Sequence, residues 1–150
     1  MFLDIGSGVG NIVAQVVLSI GVYKALGIEL RSDIYHLGMD MMMKSAFTGR
    51  LVERAQFFCQ DVSKLRISYT PPFADATIVY WNNVLFDPSV IEFVKNELCG
   101  MFMHKFLPET PRTVPRSLLC IVRIDKKVDV PCSWKAKLQR MFVYRAKDFE

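Results

Sequence analysis

Asp4-Ile5-Gly6-Ser7-Gly8-Val9-Gly10 stands between a short apolar run, Phe2–Ile5, and a stretch, Asn11–Ser19, with apolar residues at Ile12, Val13, Val16 and Val17. The run suits a buried strand, and the spacing after it suits a helix with one buried face. Glycines between them let the chain turn tightly and approach a ligand closely, while the helix start offers unpaired N–H donors. Outward from this turn the alternation repeats. Residues 25–30 form a second strand, and Ser32 or Asp33 caps a helix running to about Thr48. Residues 56–59 form a third strand, and Pro71-Pro72 precedes a fourth at 76–81. Asp87-Pro88 opens a helix to about Leu98. A proline-rich loop from Pro108 to Pro115 leads to an apolar strand at 118–124, and 141–146 is the last. Short apolar strands alternating with helices predict an α/β fold with a mostly parallel sheet covered on both faces.

Two carboxylates extend the site. Glu29 closes the second strand nineteen residues after Gly10, where an acid accepts hydrogen bonds from both ribose hydroxyls of an adenosine ligand. Asp61 closes the third strand, placed to meet an adenine edge. A dinucleotide fingerprint spaces its glycines G-x-G-x-x-G to admit a pyrophosphate. Here the spacing is G-x-G-x-G, with Asp4 two residues before the first glycine. That carboxylate repels a pyrophosphate and suits a ligand carrying an ammonium and a sulfonium, which favours S-adenosylmethionine.

Composition narrows the setting. With 150 residues, 51% of them hydrophobic and 23% charged, the chain matches one globular core and not a disordered polymer. The most apolar stretch, 12–26, is interrupted by Gln15, Gly21 and Lys24, so no membrane span is expected. Residues 1–10 carry no basic leader and place Asp4 in their apolar part, so secretion is not expected either. Cys59, Cys99, Cys120 and Cys132 form no C-x-x-C pair, and His36 and His104 are the only histidines, so no metal site is expected. Cys59 and Cys120 sit in apolar runs and read as core. Neither histidine has a catalytic reading, and the cluster Met39, Met41, Met42 and Met43 reads as irregular core and helix surface. Residues 1–99 hold eight Lys/Arg against ten Asp/Glu, whereas 100–150 hold eleven against five. Such a basic final third suits a polyanion, with contacts to DNA phosphates as the expectation.

The run from Phe2 to Val13, with Ser7, Val9 and Gln15 as fillers, resembles the first motif of the non-SET histone-lysine methyltransferases of the telomeric-silencing-disruptor (Dot) type. A second block, Val79-Tyr80-Trp81-Asn82-Asn83-Val84-Leu85-Phe86-Asp87-Pro88-Ser89-Val90, is similar to that family's paired-asparagine motif. Cys132-Ser133-Trp134 and Met141-Phe142-Val143-Tyr144 are similar to its closing loop and last strand. The resemblance implies a Rossmann-like class I methyltransferase core over 1–150, with an antiparallel C-terminal strand. It implies that Asp4, Gly6, Ser7, Gly8, Gly10 and Asn11 hold the amino-acid end of S-adenosylmethionine. Glu29 would hold the ribose, and Asp61 and Val62 the adenine. Asn82 and Phe86 would flank the methyl group and the lysine channel. Val62 stands where the family usually has an aromatic residue, and Asn11 where it has glutamine.

The resulting expectation is a nuclear enzyme that methylates a lysine of a core histone in nucleosomes. Two alternatives stay open at this point: a non-catalytic domain that binds S-adenosylmethionine, and a methyltransferase acting on a small molecule or RNA. The family places a helical segment and a substrate loop before its first strand. The chain starts at that strand, so it is expected to lack the segment and to transfer methyl groups poorly alone.

Overall fold

The computed structural model describes the backbone of residues 1–106, 122–132 and 135–146, and the side chains of 1–101 and 126–129. Two compact units divide the chain, Met1–Leu98 and Cys99–Glu150.

In the first unit, β1 (Phe2–Ile5), β2 (Ala25–Glu29), β3 (Ala55–Cys59) and β4 (Ile78–Trp81) form one parallel sheet in the order β3-β2-β1-β4. β1 pairs with a strand on each side, Phe2 lying opposite both Ala25 and Ile78, and all four of its residues are buried. A strand covered on both faces and both edges is uniformly apolar, and Asp4 is the exception. The chain moves one way from β1 to β2 and β3, then returns to place β4 on the other flank. The turn after β1 therefore lies where the strand order reverses, the position at which open α/β sheets bind ligands.

Helices α1 (Asn11–Ser19), α2 (Ser32–Met43) and α3 (Thr48–Arg54) bury Val13, Val16, Val17, Met42 and Leu51 against Phe2 and Ala25. The alternate row, Leu3, Ile5, Leu26 and Ile28, is equally buried. On that side Phe58 meets the edge of Phe73, ring centroids 4.7 Å apart. The loop after β3 is also fastened to α4 (Pro88–Phe106) by Glu97. This buried carboxylate accepts from Ser68 N at 3.1 Å, Ser68 Oγ at 2.6 Å and Arg66 Nε at 2.9 Å.

The single long helix expected from Ser32 to about Thr48 is two helices. α2 begins after extended Arg31 with no side-chain cap, and Asp33 pairs with Arg31 at 2.8 Å instead. It ends at Met43 because Ser45 Oγ accepts the Phe47 N–H at 3.1 Å, a local bond that competes with the helical ladder. α4 runs past the expected stop at Leu98 and through Gly100, with Met101 buried.

In the second unit, β5 (Val122–Cys132) and β6 (Lys135–Ala146) pair antiparallel as a two-stranded sheet of their own, with Arg123 opposite Arg145 and Lys127 opposite Phe142. The expected antiparallel strand closing the central sheet is thus not seen; among the described residues that sheet ends at β4. Both hairpin strands also extend beyond the expected apolar runs. Lys126, Lys127 and Asp129 interrupt the apolar pattern but not the main-chain pairing, and Lys126 to Asp129 are exposed. Pro108–Pro115, Leu118, Cys120, Ser133, Trp134 and Lys147 lie outside the described residues, as do the side chains of His104 and Cys132.

Candidate functional site

The glycine turn is held by its backbone. Gly6 N and Ser7 N both donate to Ile28 O at 2.9 Å, and Gly10 N donates to Ser7 O at 2.9 Å. Gly10 leads into α1 at φ +78°, and a Cβ there would lie 2.5 Å from the Phe57 ring and 2.7 Å from Met42 Cε. At Gly38 of α2, a Cβ would come within 2.6 Å of Val9 O, so the helix rests directly on the turn. Gly38, Phe57 and Met42 thus shape the loop, a part in the site that the sequence reading did not give them. An isolated glycine inside a helical pattern was the available signal.

Glu29 closes the crevice at the end of β2. Its Oε2 accepts Gly8 N at 2.8 Å and its Oε1 accepts Arg31 N at 2.9 Å. An ionised carboxylate offers about four acceptor positions, so lone pairs remain for two hydroxyls. Asp4 is 2% exposed beneath the turn. Burial, and then the charge of Glu29, pushes its carboxyl up to about 7. Ser7 is buried too, and its Oγ has no hydrogen-bond partner among the described residues. Asn11 is exposed on the first turn of α1.

Asp61 follows β3. Its Oδ1 accepts Ser63 N at 3.0 Å and Ser63 Oγ at 2.7 Å, which holds the carboxyl below its usual range. Val62 is buried. Cys59, expected in the core, is exposed: β3 is the outer strand of the described sheet, and Cys59 is its last residue.

On the other flank, Trp81 lies opposite Ile5 at the end of β4, and Asn82 beyond it is exposed. A 3-10 turn, Asn83–Leu85, follows, closed by Phe86 N donating to Asn83 O at 3.2 Å. Phe86 packs edge-on to Trp81, centroids 5.7 Å apart, and its Cζ lies 2.9 Å from where a Gly6 Cβ would be. The Trp81 Nε1 is buried without a partner among the described residues. Asp4, the glycine turn, Glu29 and Phe86 are therefore brought together. Asp61, Val62 and Asn82 stand at strand ends on the same edge of the sheet, with no hydrogen bond to the turn among those described. His36 is exposed on α2, its Nδ1 2.6 Å from Ser32 O.

The family model for the histone methylation protein DOT1 matches residues 1–104. The chain belongs to the DOT1 histone methylation family. The match spans the whole four-stranded sheet, the glycine turn and the paired asparagines. It stops within α4. The likeness drawn from Ser133-Trp134 and 141–144 lies beyond it, as does the β5–β6 hairpin. No curated protein matches the chain. DOT1 membership carries histone methylation as the coarse function. Among the described residues no group of three or more His, Cys, Asp or Glu could hold a metal ion, and no helix is long and apolar enough to cross a membrane.

Proposed function

We propose that residues 1–150 form one S-adenosylmethionine-dependent core that methylates a lysine of a core histone in nucleosomes, in the nucleus. The observation that carries this reading is Asp4, a carboxyl pushed up to about 7 by burial under the glycine turn and by Glu29. A carboxylate kept there destabilises the fold unless a cation meets it, and such groups concentrate at functional sites. The ammonium of an amino-acid ligand is such a cation.

The residues fit that donor. Asp4, Gly6, Ser7, Gly8, Gly10 and Asn11 would hold its amino-acid end, and Ser7 Oγ supplies an unused hydroxyl beside it. Glu29 would take the ribose hydroxyls. Asp61 would meet the adenine, with Val62 turned inward and giving the ring little surface. The donor supplies an activated methyl on sulfur. The chain's own work is alignment, desolvation and access for a neutral amine. Phe86 and Trp81 give the approach an apolar wall, which lowers the pKa of an entering lysine. Asn82 would orient the amine.

Two expected results test the reading. Glu29→Ala removes a charged acceptor for two hydroxyls, so calorimetric titration with S-adenosylmethionine should show roughly ten- to hundredfold weaker binding. Unchanged affinity would remove Glu29 from the site, and no radiolabelled transfer to nucleosomes from a donor-binding chain would favour a non-catalytic domain. The exposed Lys126 and Lys127 of the hairpin are proposed to meet DNA phosphates. Nucleosome affinity should fall steeply with salt, and Lys126→Gln with Lys127→Gln should flatten that slope by about two phosphate contacts. A slope near zero in the parent chain would leave both lysines as solvated surface.

A further inference from the structure

We infer that Val84 and Leu85 form a fixed apolar contact for the histone surface around the target lysine, and so help decide which lysine is reached. The inference rests on the reading of the site as a histone-lysine methyltransferase. Leu85 is 96% exposed and Val84 53%, side by side in the 3-10 turn between Asn82 and Phe86. A lone exposed leucine is ordinary on a protein surface. This pair is different in its mounting.

The turn is anchored at both ends. Before it, Trp81 is fixed opposite Ile5 of the buried central strand. After it, Phe86 packs on Trp81 and over Gly6, and Asp87 Oδ1 accepts Ser89 N at 2.9 Å and Ser89 Oγ at 2.6 Å to open α4. The tip therefore projects from a backbone with little freedom left to lose. Apolar side chains held in this way dock without a large ordering cost.

Position supplies the partner. The tip adjoins Phe86, which itself covers the first glycine of the crevice. A lysine stem spans roughly 6 Å from Cα to the amine. When a lysine amine lies beside Phe86, the protein surface that carries it must stand within about that distance of the next residues outward. Val84 and Leu85, the two residues before Phe86 in the chain, are exposed within that reach. A small-molecule substrate would give them nothing to touch.

The experiment uses the full chain with reconstituted nucleosomes. Position 85 carries a benzophenone amino acid in one variant, and Leu85→Asp, Leu85→Met and Val84→Ser are made alongside. Irradiation should cross-link position 85 to a histone. Leu85→Asp should weaken nucleosome binding about ten- to fiftyfold, the loss expected when a leucine contact is removed. Leu85→Met should stay near the parent, and S-adenosylmethionine affinity should be unchanged in all of them. A cross-link to DNA alone, or equal nucleosome affinity for Leu85→Asp and the parent, overturns the proposal. A parent chain that binds no S-adenosylmethionine sinks the methyltransferase reading instead, and titration reports that separately from the cross-link.

Discussion

Asp4→Asn will melt above the parent protein at pH 8 and bind S-adenosylmethionine at least tenfold more weakly. Folding moves the Asp4 carboxyl from an ordinary 3.8 to about 7, first by burial and then by the charge of Glu29. A folded-state pKa above the unfolded one means the native protein holds the proton more tightly. The stabilising contribution is complete below pH 4 and is lost as pH rises through 7. By pH 8 the ionised carboxyl costs up to about 4 kcal/mol, because a tenfold difference in proton affinity between folded and unfolded chains is worth about 1.36 kcal/mol. Asparagine carries no charge at any pH and escapes that cost. The difference between variant and parent should therefore be small near pH 4 and grow to roughly 5–15 °C in Tm above pH 7. Donor binding runs the other way, because the ammonium needs the ionised form. Below pH 7 the parent must release a proton to bind, and affinity should fall by about a factor of ten per pH unit. Melting curves from pH 4 to 9, with titrations in buffers of different ionisation heat, check both halves. Identical melting of the two proteins at pH 8 would mean that Asp4 carries no buried charge.

Gly10→Ala is expected to cost the fold about 3–4 kcal/mol. The residue sits at φ +78°, where a side chain costs roughly 1–2 kcal/mol. Its methyl group would also press on the Phe57 ring at 2.5 Å and Met42 Cε at 2.7 Å, and overpacking of that kind costs about 1–3 kcal/mol. Gly8→Ala is the control. Its φ of +57° carries the backbone cost, but no atom lies within 4 Å of the added Cβ. Thermal unfolding should show Gly10→Ala roughly 10 °C below the parent and Gly8→Ala only a few degrees below it. Equal losses would show that Phe57 and Met42 yield to the methyl group.

The central sheet and its glycine turn could be read from sequence because burial leaves few choices there. β1 and β2 are covered on both faces, so their runs are apolar apart from Asp4 and the closing Glu29, and the turn between strand and helix demands glycine. Elements that depend on tertiary context were harder. α3 buries only Leu51 among its seven residues, too little for a helical period to register. Cys59 shares an apolar run with Phe57 and Phe58, yet its place at the end of an outer strand exposes it. Glu97 reads as a polar helix residue until Ser68 and Arg66 arrive from 29 and 31 residues away. The hairpin of the last strands was expected, but its reach was not: pairing runs through Lys126, Lys127 and Asp129, because main-chain bonds need no apolar stripe to continue. For the candidate site, Glu29 and Asp61 stand at or just past the strand ends where the sequence put them, whereas only the fold could show that Phe86 lies over Gly6.

The central place of β1 also sets a timetable for the chain's synthesis. Phe2 pairs with Ala25 on one side but with Ile78 on the other. At a synthesis rate of about 5–20 residues per second, the second partner follows the first strand by on the order of 4–15 s. Through that interval one edge of the fully buried strand has no neighbour, and an unpaired strand edge is the surface on which other chains nucleate. Slowing translation between β2 and β4 would lengthen that exposure in direct proportion.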